Sequence, residues 1–220
     1  MPGMREDAPG ATRRRLPKDE RRARILDAAA RVFADRGYEA ASLDEIAEAA
    51  EISKPVIYDH FDSKKALHIE LLELQAGEML EFMTRRAISQ DTTEGQLAAG
   101  LEAFLEFVET HPYAWRMIFR DPTAADAEIE QAQRRVQLRA TSAIAAIAGS
   151  HPMEDLSEDE LDHELSVEAF SQMLKTAANG IAAWWYEHRE ISRETIVKML
   201  MDFVWVGLER VQDGERWARP

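Results

Sequence analysis

The 220 residues contain no cysteine. Disulfide staples, thiolate nucleophiles, cysteine-based zinc sites and thiol redox sensing are thereby excluded. A long apolar run is also missing: Ile196–Leu208 is interrupted by Lys198 and Asp202, and Ala143–Ala148 is far too short to span a bilayer. No membrane association is expected. The first fifteen residues carry arginines but lack the apolar segment of a secretory signal, so a cytoplasmic location is expected. Alternating strand patterns with hairpin turns, internal repeats and glycine-rich phosphate loops are not found. The six histidines are scattered, and no Ser–His–Asp grouping is legible. No catalytic residue and no cofactor are therefore assigned. Glu160, His163 and Glu164 have metal-compatible helical spacing, but three surface side chains in an acidic stretch read as solvated, so no metal site is expected.

What is present is a globular balance of 45% hydrophobic and 31% charged residues, in a chain long enough for one small and one medium domain. A net charge of −14 argues at first against nucleic acid, because DNA affinity rests on lysine and arginine neutralising phosphates. The distribution reverses that reading. Residues 1–65 hold 13 basic and 13 acidic side chains, whereas residues 66–220 hold 14 against 28 and carry the whole excess. Within the first part, Arg13, Arg14, Arg15, Lys18, Arg21, Arg22 and Arg24 form a basic block that is either a solvated tail or a DNA-binding arm.

Apolar residues recur at three- and four-residue spacing throughout, so the chain reads as all-α. A first helix runs from about Lys18 to Arg36, with Ile25, Ala29, Val32 and Phe33 facing inward and Gly37 ending it. Ser42-Leu43-Asp44-Glu45 is a capping box that opens a short helix to Ala50. Ser53 is a second N-cap, with Pro55 in the first turn of a third helix reaching about His60. A long fourth helix starts after Asp62 and Ser63. Further helices are expected over Glu94–Glu109, Tyr113–Phe119, Thr123–Ala148, Glu158–His188 and Arg193–Val211, with a loop around Gly149–Leu156. The last helix carries Ile196, Val197, Met199, Leu200, Phe203, Val204, Val206, Leu208 and Val211 around most of its circumference, which calls for cover on more than one side and so for a partner subunit. The organisation expected is an arm (1–17), a three-helix helix-turn-helix DNA-binding domain (18–65), a helical ligand-binding and dimerisation domain (66–212) and a tail (213–220).

Two short helices joined by a tight turn form the geometry in which the second helix lies in the major groove. Ile57 and Phe61, four apart, are expected to pack against Phe33, Ile46 and Ile52, leaving Lys54, Pro55, Val56, Tyr58, Asp59 and His60 outward. That face suits phosphate and base-edge contacts. Lys64 and Lys65 place two cations at the positive end of a helix dipole, a local conflict worth a few tenths of a kcal/mol per residue. An approaching phosphate or nearby carboxylates such as Asp62 would relieve it.

The segment Ala23–Leu72, above all Ser53-Lys54-Pro55-Val56-Ile57-Tyr58-Asp59-His60-Phe61 followed by Ser63-Lys64, resembles the tetracycline-repressor (TetR) family. The resemblance implies a homodimeric repressor that leaves a palindromic double-stranded DNA operator when a small effector enters the second domain. It also implies that Ser42, Tyr58, His60 and Lys64 contact phosphates, and that Lys54, Pro55, Val56 and Tyr58 lie nearest the bases. Three positions depart from the pattern. Glu51 stands where glycine is common; glycine suits positive φ, which glutamate adopts only at some cost, so a local difference in the turn is expected. Val56 stands where a hydroxyl is common, and offers only contact with a thymine methyl. Asp59 points either at a cytosine amino group or into solvent.

In the second domain, large apolar residues permit a pocket between helices, and Met83, Phe104, Trp115, Phe119 and Met173 are the expected ligand contacts. Three functions are weighed: a ligand-responsive DNA-binding regulator, a helical interaction protein in which Glu51 and Asp59 have abolished DNA binding, and an enzyme on a helical scaffold. The first is the reading adopted.

Overall fold

A computed structural model of the chain describes residues 17–119, 126–149 and 163–212. The arm up to residue 16, Pro122, Pro152, Glu160 and the tail 213–220 lie outside the described residues. Among the described residues there are nine helices and no strand: α1 (Lys18–Ala40), α2 (Leu43–Ala49), α3 (Lys54–Tyr58), α4 (Lys64–Ala87), α5 (Thr93–Thr110), α6 (Pro112–Phe119), α7 (Ala127–Gly149), α8 (His163–Tyr186) and α9 (Arg193–Gln212). The chain is all-α, as its periodicity predicts, and divides into two compact units between Lys64 and Lys65.

In the first unit, Ile25, Ala29 and Phe33 of α1 are buried with Ile46 of α2, Ile57 of α3 and Phe61. Val32 is only half-buried, at the margin of that stripe. Gly37 adopts φ +75° and ψ 163°, which interrupts α1 where the sequence places its end, although helical turns resume as far as Ala40. An L side chain is strained at such a φ. The capping box of α2 is complete: Ser42 Oγ accepts from the Glu45 amide at 3.2 Å, and the Ser42 amide donates to Glu45 Oε2 at 2.9 Å.

α3 is shorter than the sequence suggests. The amides of both His60 and Phe61 bond to the Ile57 carbonyl, so the ladder tightens and stops after Tyr58. Ser53 makes no side-chain cap. A cap accepts from the second or third helical amide; here the second is Pro55, which has none, and the third, Val56, bonds to the Ser53 carbonyl instead at 2.9 Å.

The second unit packs α5 against α6, α8 and α9, α7 against α6 and α8, and α8 against α9. Thr92 starts α5 by accepting from the Gly95 amide at 3.1 Å. The end of α6 is capped from α7: Gln133 and Gln137, one turn apart on α7, donate to the Met117 and Ile118 carbonyls at 2.9 and 3.0 Å. Trp115 and Trp185 are almost wholly buried, and each indole N–H has an acceptor, Asn179 Oδ1 at 2.9 Å and the Ile191 carbonyl at 2.7 Å. Burying a tryptophan removes about 150–250 Å² from water, a gross gain of roughly 4–6 kcal/mol for each ring. Arg193 joins the start of α9 to α5 by pairing with Glu102 at 2.6 Å and with Glu109.

α9 shows which part of its apolar surface the chain itself covers. Ile196, Leu200 and Leu208 are buried, while Met199, Phe203 and Val206 are 51%, 78% and 44% exposed along one stripe.

Candidate nucleic-acid interface and apolar cavity

The outward face of the helix-turn-helix holds Pro55, Tyr58 and Asp59 exposed, with Lys54, Val56 and His60 half-buried. Tyr58, 51% exposed, is the largest apolar group on this face. Lys54 Nζ donates to Asp44 Oδ2 on α2 at 2.9 Å, and this bond holds the ammonium above its ordinary lysine range. It is a charged lysine with a local counter-ion. Ser42 spends its only O–H on Glu45 Oε2 at 2.9 Å, so a phosphate contact requires exchange of that bond. The Ser42 amide, and then its hydroxyl, keep the Glu45 carboxyl below its usual range.

His60 Nδ1 is buried and has no hydrogen-bond partner. Burial, followed by the charges of Arg21, Lys18 and Arg22, pushes the imidazole below its ordinary range, with Asp59 opposing. A neutral ring retains a single N–H to donate. Beside it is a contact that the sequence reading did not include. Arg22 Nη1 donates to the His60 carbonyl at 3.1 Å, and the guanidinium lies 4.6 Å from the Phe61 ring centroid, tying α1 to the end of α3. Arg22 belongs to the basic block, but the pairing joins residues 38 apart and has no local sequence signal.

Lys64, for which the resemblance implies a phosphate contact, is engaged within the protein. Its ammonium donates to the carbonyls of Tyr38, Glu39 and Ala41 at 2.8, 3.2 and 3.0 Å, and lies 4.5 Å from the Tyr38 ring centroid. A lysine ammonium has three donors, and all three are used. The dipole conflict at the start of α4 is thus relieved within the protein by backbone carbonyls. In the second unit, Lys65 is met by Glu128 at 2.8 Å and Asp126 at 3.4 Å, which raise its proton affinity. The carboxylates are these two, and not Asp62.

Glu51 occupies the turn with φ +52°, so the turn keeps the left-handed conformation that suits glycine and does not differ locally as the glutamate there suggests. Its Oε2 accepts from Arg24 Nη2 at 2.5 Å.

In the second unit, α4, α5, α7 and α8 surround an apolar cavity with about 110 Å³ open to the centre of a water molecule. Of the expected ligand contacts, Met83, Phe104 and Phe119 line it. The other two expected contacts lie elsewhere. Trp115 is sequestered in the core by its bond to Asn179, and Met173 is 64% exposed on α8. Helical periodicity separates these cases only when the neighbours are known: Leu174, one residue from Met173, lines the cavity. The polar wall residues are Thr84, Thr93, Gln96 and Lys175, none of which the sequence reading named. Lys175 had a legible signal, a charged residue one turn from buried Ser171 and Ala178 on the same helix.

Comparison with known proteins agrees with this architecture. Residues 25–71 match the model of bacterial regulatory proteins of the tetR family, and residues 93–207 match that of the tetracyclin repressor-like C-terminal domain. The HTH-type transcriptional activator FasR of Mycolicibacterium smegmatis is 33% identical over 211 residues, covering 92% of this chain and 90% of that protein. The HTH-type transcriptional repressor KstR2 of Rhodococcus jostii is 36% identical over 90 residues, 39% of this chain and 44% of its own. Among solved structures, a TetR-like transcriptional regulator from Rhodococcus sp. RHA1 superposes with a TM-score of 0.67 at 27% identity, covering 89% of this chain and 99% of that one. FadR of Bacillus subtilis, solved in complex with stearoyl-CoA, shares the fold with a TM-score of 0.67 at 18% identity, over 88% and 99% of the two chains. With a helix-turn-helix unit at its head and a helical unit enclosing an apolar cavity, each matching its own family model, this chain belongs to the TetR family of bacterial transcriptional regulators.

Proposed function

We propose that the protein is a homodimeric regulator that binds a near-palindromic operator through α3 and is released from it when an aliphatic ligand fills the cavity of the second unit. The observation that carries the reading is the pairing, in one chain, of an exposed Tyr58 face on a buried helix-turn-helix core with a cavity walled almost entirely by apolar side chains. A transcriptional regulator that senses a metabolite needs both parts; an enzyme on the same scaffold needs a catalytic grouping as well.

The stripe Met199, Phe203 and Val206 on α9, with Leu165, Met173 and Trp184 exposed on α8, supports a self-complementary dimer of these two helices. Gly180 and Gly207 support it too: a Cβ at either meets nothing within 4 Å. A mid-helix glycine costs about 1 kcal/mol relative to alanine, and close approach of a partner helix is a reason to keep it. Two heads on a two-fold axis address half-sites about 34–36 Å apart, or a multiple of that. Ligand that shifts the heads away from this spacing lowers operator affinity, and operator lowers ligand affinity by the same factor. The relative matched along nearly the whole chain is named an activator, and KstR2 a repressor. The sign at the promoter follows from where the operator lies; we propose repression, as the family resemblance implies, and a transcription assay reads it.

Selection of bound sequences from random DNA tests the core of the proposal. A near-palindromic motif, bound with an affinity that falls by a slope of about 0.9 in log–log salt for each phosphate contact, is expected. Failure to enrich any motif, with a folded protein, overturns it.

A further inference from the structure

Among the described residues, Lys175 is the only ionisable one that lines the cavity. The rest of the wall is apolar apart from Thr84, Thr93 and Gln96, and no carboxylate among the described residues forms an ion pair or hydrogen bond with the Lys175 amine. An amine on such a wall loses hydration without gaining a counter-ion, which is unfavourable for the free protein. Consistent with that, burial alone holds this amine below the ordinary lysine range. By contrast, Arg193 has Glu102 and Glu109, and Lys65 has Glu128 and Asp126.

We infer that Lys175 is the counter-ion for the acidic head of the effector, and that the effector is an aliphatic carboxylic acid whose chain lies along the apolar wall of α4, α5 and α7. This rests on reading the cavity as the effector site. The chemistry selects the head group in three steps. An uncharged aliphatic ligand, such as an alcohol or ester, leaves the amine unpaired and further desolvated when it fills the cavity. A nucleotide-bearing ligand brings several phosphate charges, and the wall has one cation to meet them. A single carboxylate on an alkyl chain matches one amine, and the resulting charge-assisted hydrogen bond is stronger than a neutral one. Lys175 is thus a specificity residue, kept at a cost to the stability of the unliganded protein.

The test uses the full chain and three probes of equal chain length: palmitate, hexadecanol and palmitoyl-CoA, titrated by calorimetry against the wild type, Lys175→Met and Lys175→Arg. Methionine keeps the apolar length of lysine without its charge. Palmitate should bind the wild type more tightly than either other probe. Lys175→Met should lose palmitate affinity by on the order of tenfold to a hundredfold, with little change for hexadecanol, and Lys175→Arg should recover most of the loss. Independently of any ligand, Lys175→Met should raise the thermal midpoint of the free protein. Equal binding of palmitate and hexadecanol, unchanged palmitate affinity in Lys175→Met, or tightest binding of palmitoyl-CoA overturns this inference while leaving the cavity as an effector site. Failure of all three probes to bind the folded wild type overturns the inference and the aliphatic-ligand reading together.

Discussion

Glu51 Oε2 and Arg24 Nη2 lie 2.5 Å apart, and the glutamate that makes this contact is the one non-glycine residue with positive φ among the described residues. The ion pair therefore spans the helix-turn-helix turn to α1 at the point where the backbone is least comfortable. With side chains 37% and 61% exposed, the pair returns at most about 1 kcal/mol. The left-handed backbone costs a residue with a Cβ a similar amount.

Replacing Glu51 by glycine should consequently leave stability within about 1 kcal/mol of wild type, whereas Arg24→Ala, which keeps the strain and loses the partner, should lower it. Urea unfolding of both variants checks this. A loss larger for Glu51→Gly than for Arg24→Ala would show the turn to be unstrained.

Lys64 should behave as a structural residue. Lys64→Met retains packing over Tyr38 but removes the donor from three carbonyls, a loss of roughly 1–3 kcal/mol in unfolding free energy. Unchanged stability accompanied by weakened DNA binding would restore the phosphate role.

Tyr58 should behave oppositely. Its ring is half exposed, so Tyr58→Ala should leave the denaturant midpoint nearly unchanged and reduce operator affinity by about 1–3 kcal/mol, the usual worth of a base-edge contact. Electrophoretic mobility shift on a selected operator measures the second quantity. A variant with wild-type affinity would remove Tyr58 from the interface.

His60 makes the head sensitive to acid. Its folded proton affinity lies below the ordinary value of 6.5, so the unfolded chain binds the extra proton first as pH falls. The associated stability is present above about 6.5 and is lost as pH drops from there through the lower folded value. Denaturant midpoints between pH 8 and pH 5 should fall more steeply for the wild type than for His60→Asn. Parallel profiles would contradict the assignment.

Phe203 should be a determinant of assembly and of little else. It is 78% exposed, so Phe203→Asp leaves the core intact but removes about 1.5–3 kcal/mol of burial twice in a two-fold interface. Sedimentation should show a folded monomer at micromolar concentration. A dimer that survives the charge would move the interface elsewhere.

Much of this protein is legible without coordinates. Local chemistry alone identifies the break at Gly37 and the capping box of Ser42 and Glu45, because each depends on residues within a few positions of one another. The helices follow from periodicity, and the excess of apolar positions on α9 is visible before Met199, Phe203 and Val206 are found exposed. What tertiary structure decided is which partner each long side chain chose. Lys64 at the head of α4 has several acceptors within its reach, and only the packed fold brings the Tyr38, Glu39 and Ala41 carbonyls to it. Met173 and Leu174 are neighbours of similar hydrophobicity, and the rotation of α8 against α5 and α7 sends one to solvent and the other to the cavity. The same rotation turns Lys175 toward the cavity. A period of 3.6 residues specifies a face to within about a residue, whereas a binding wall is drawn more finely than that.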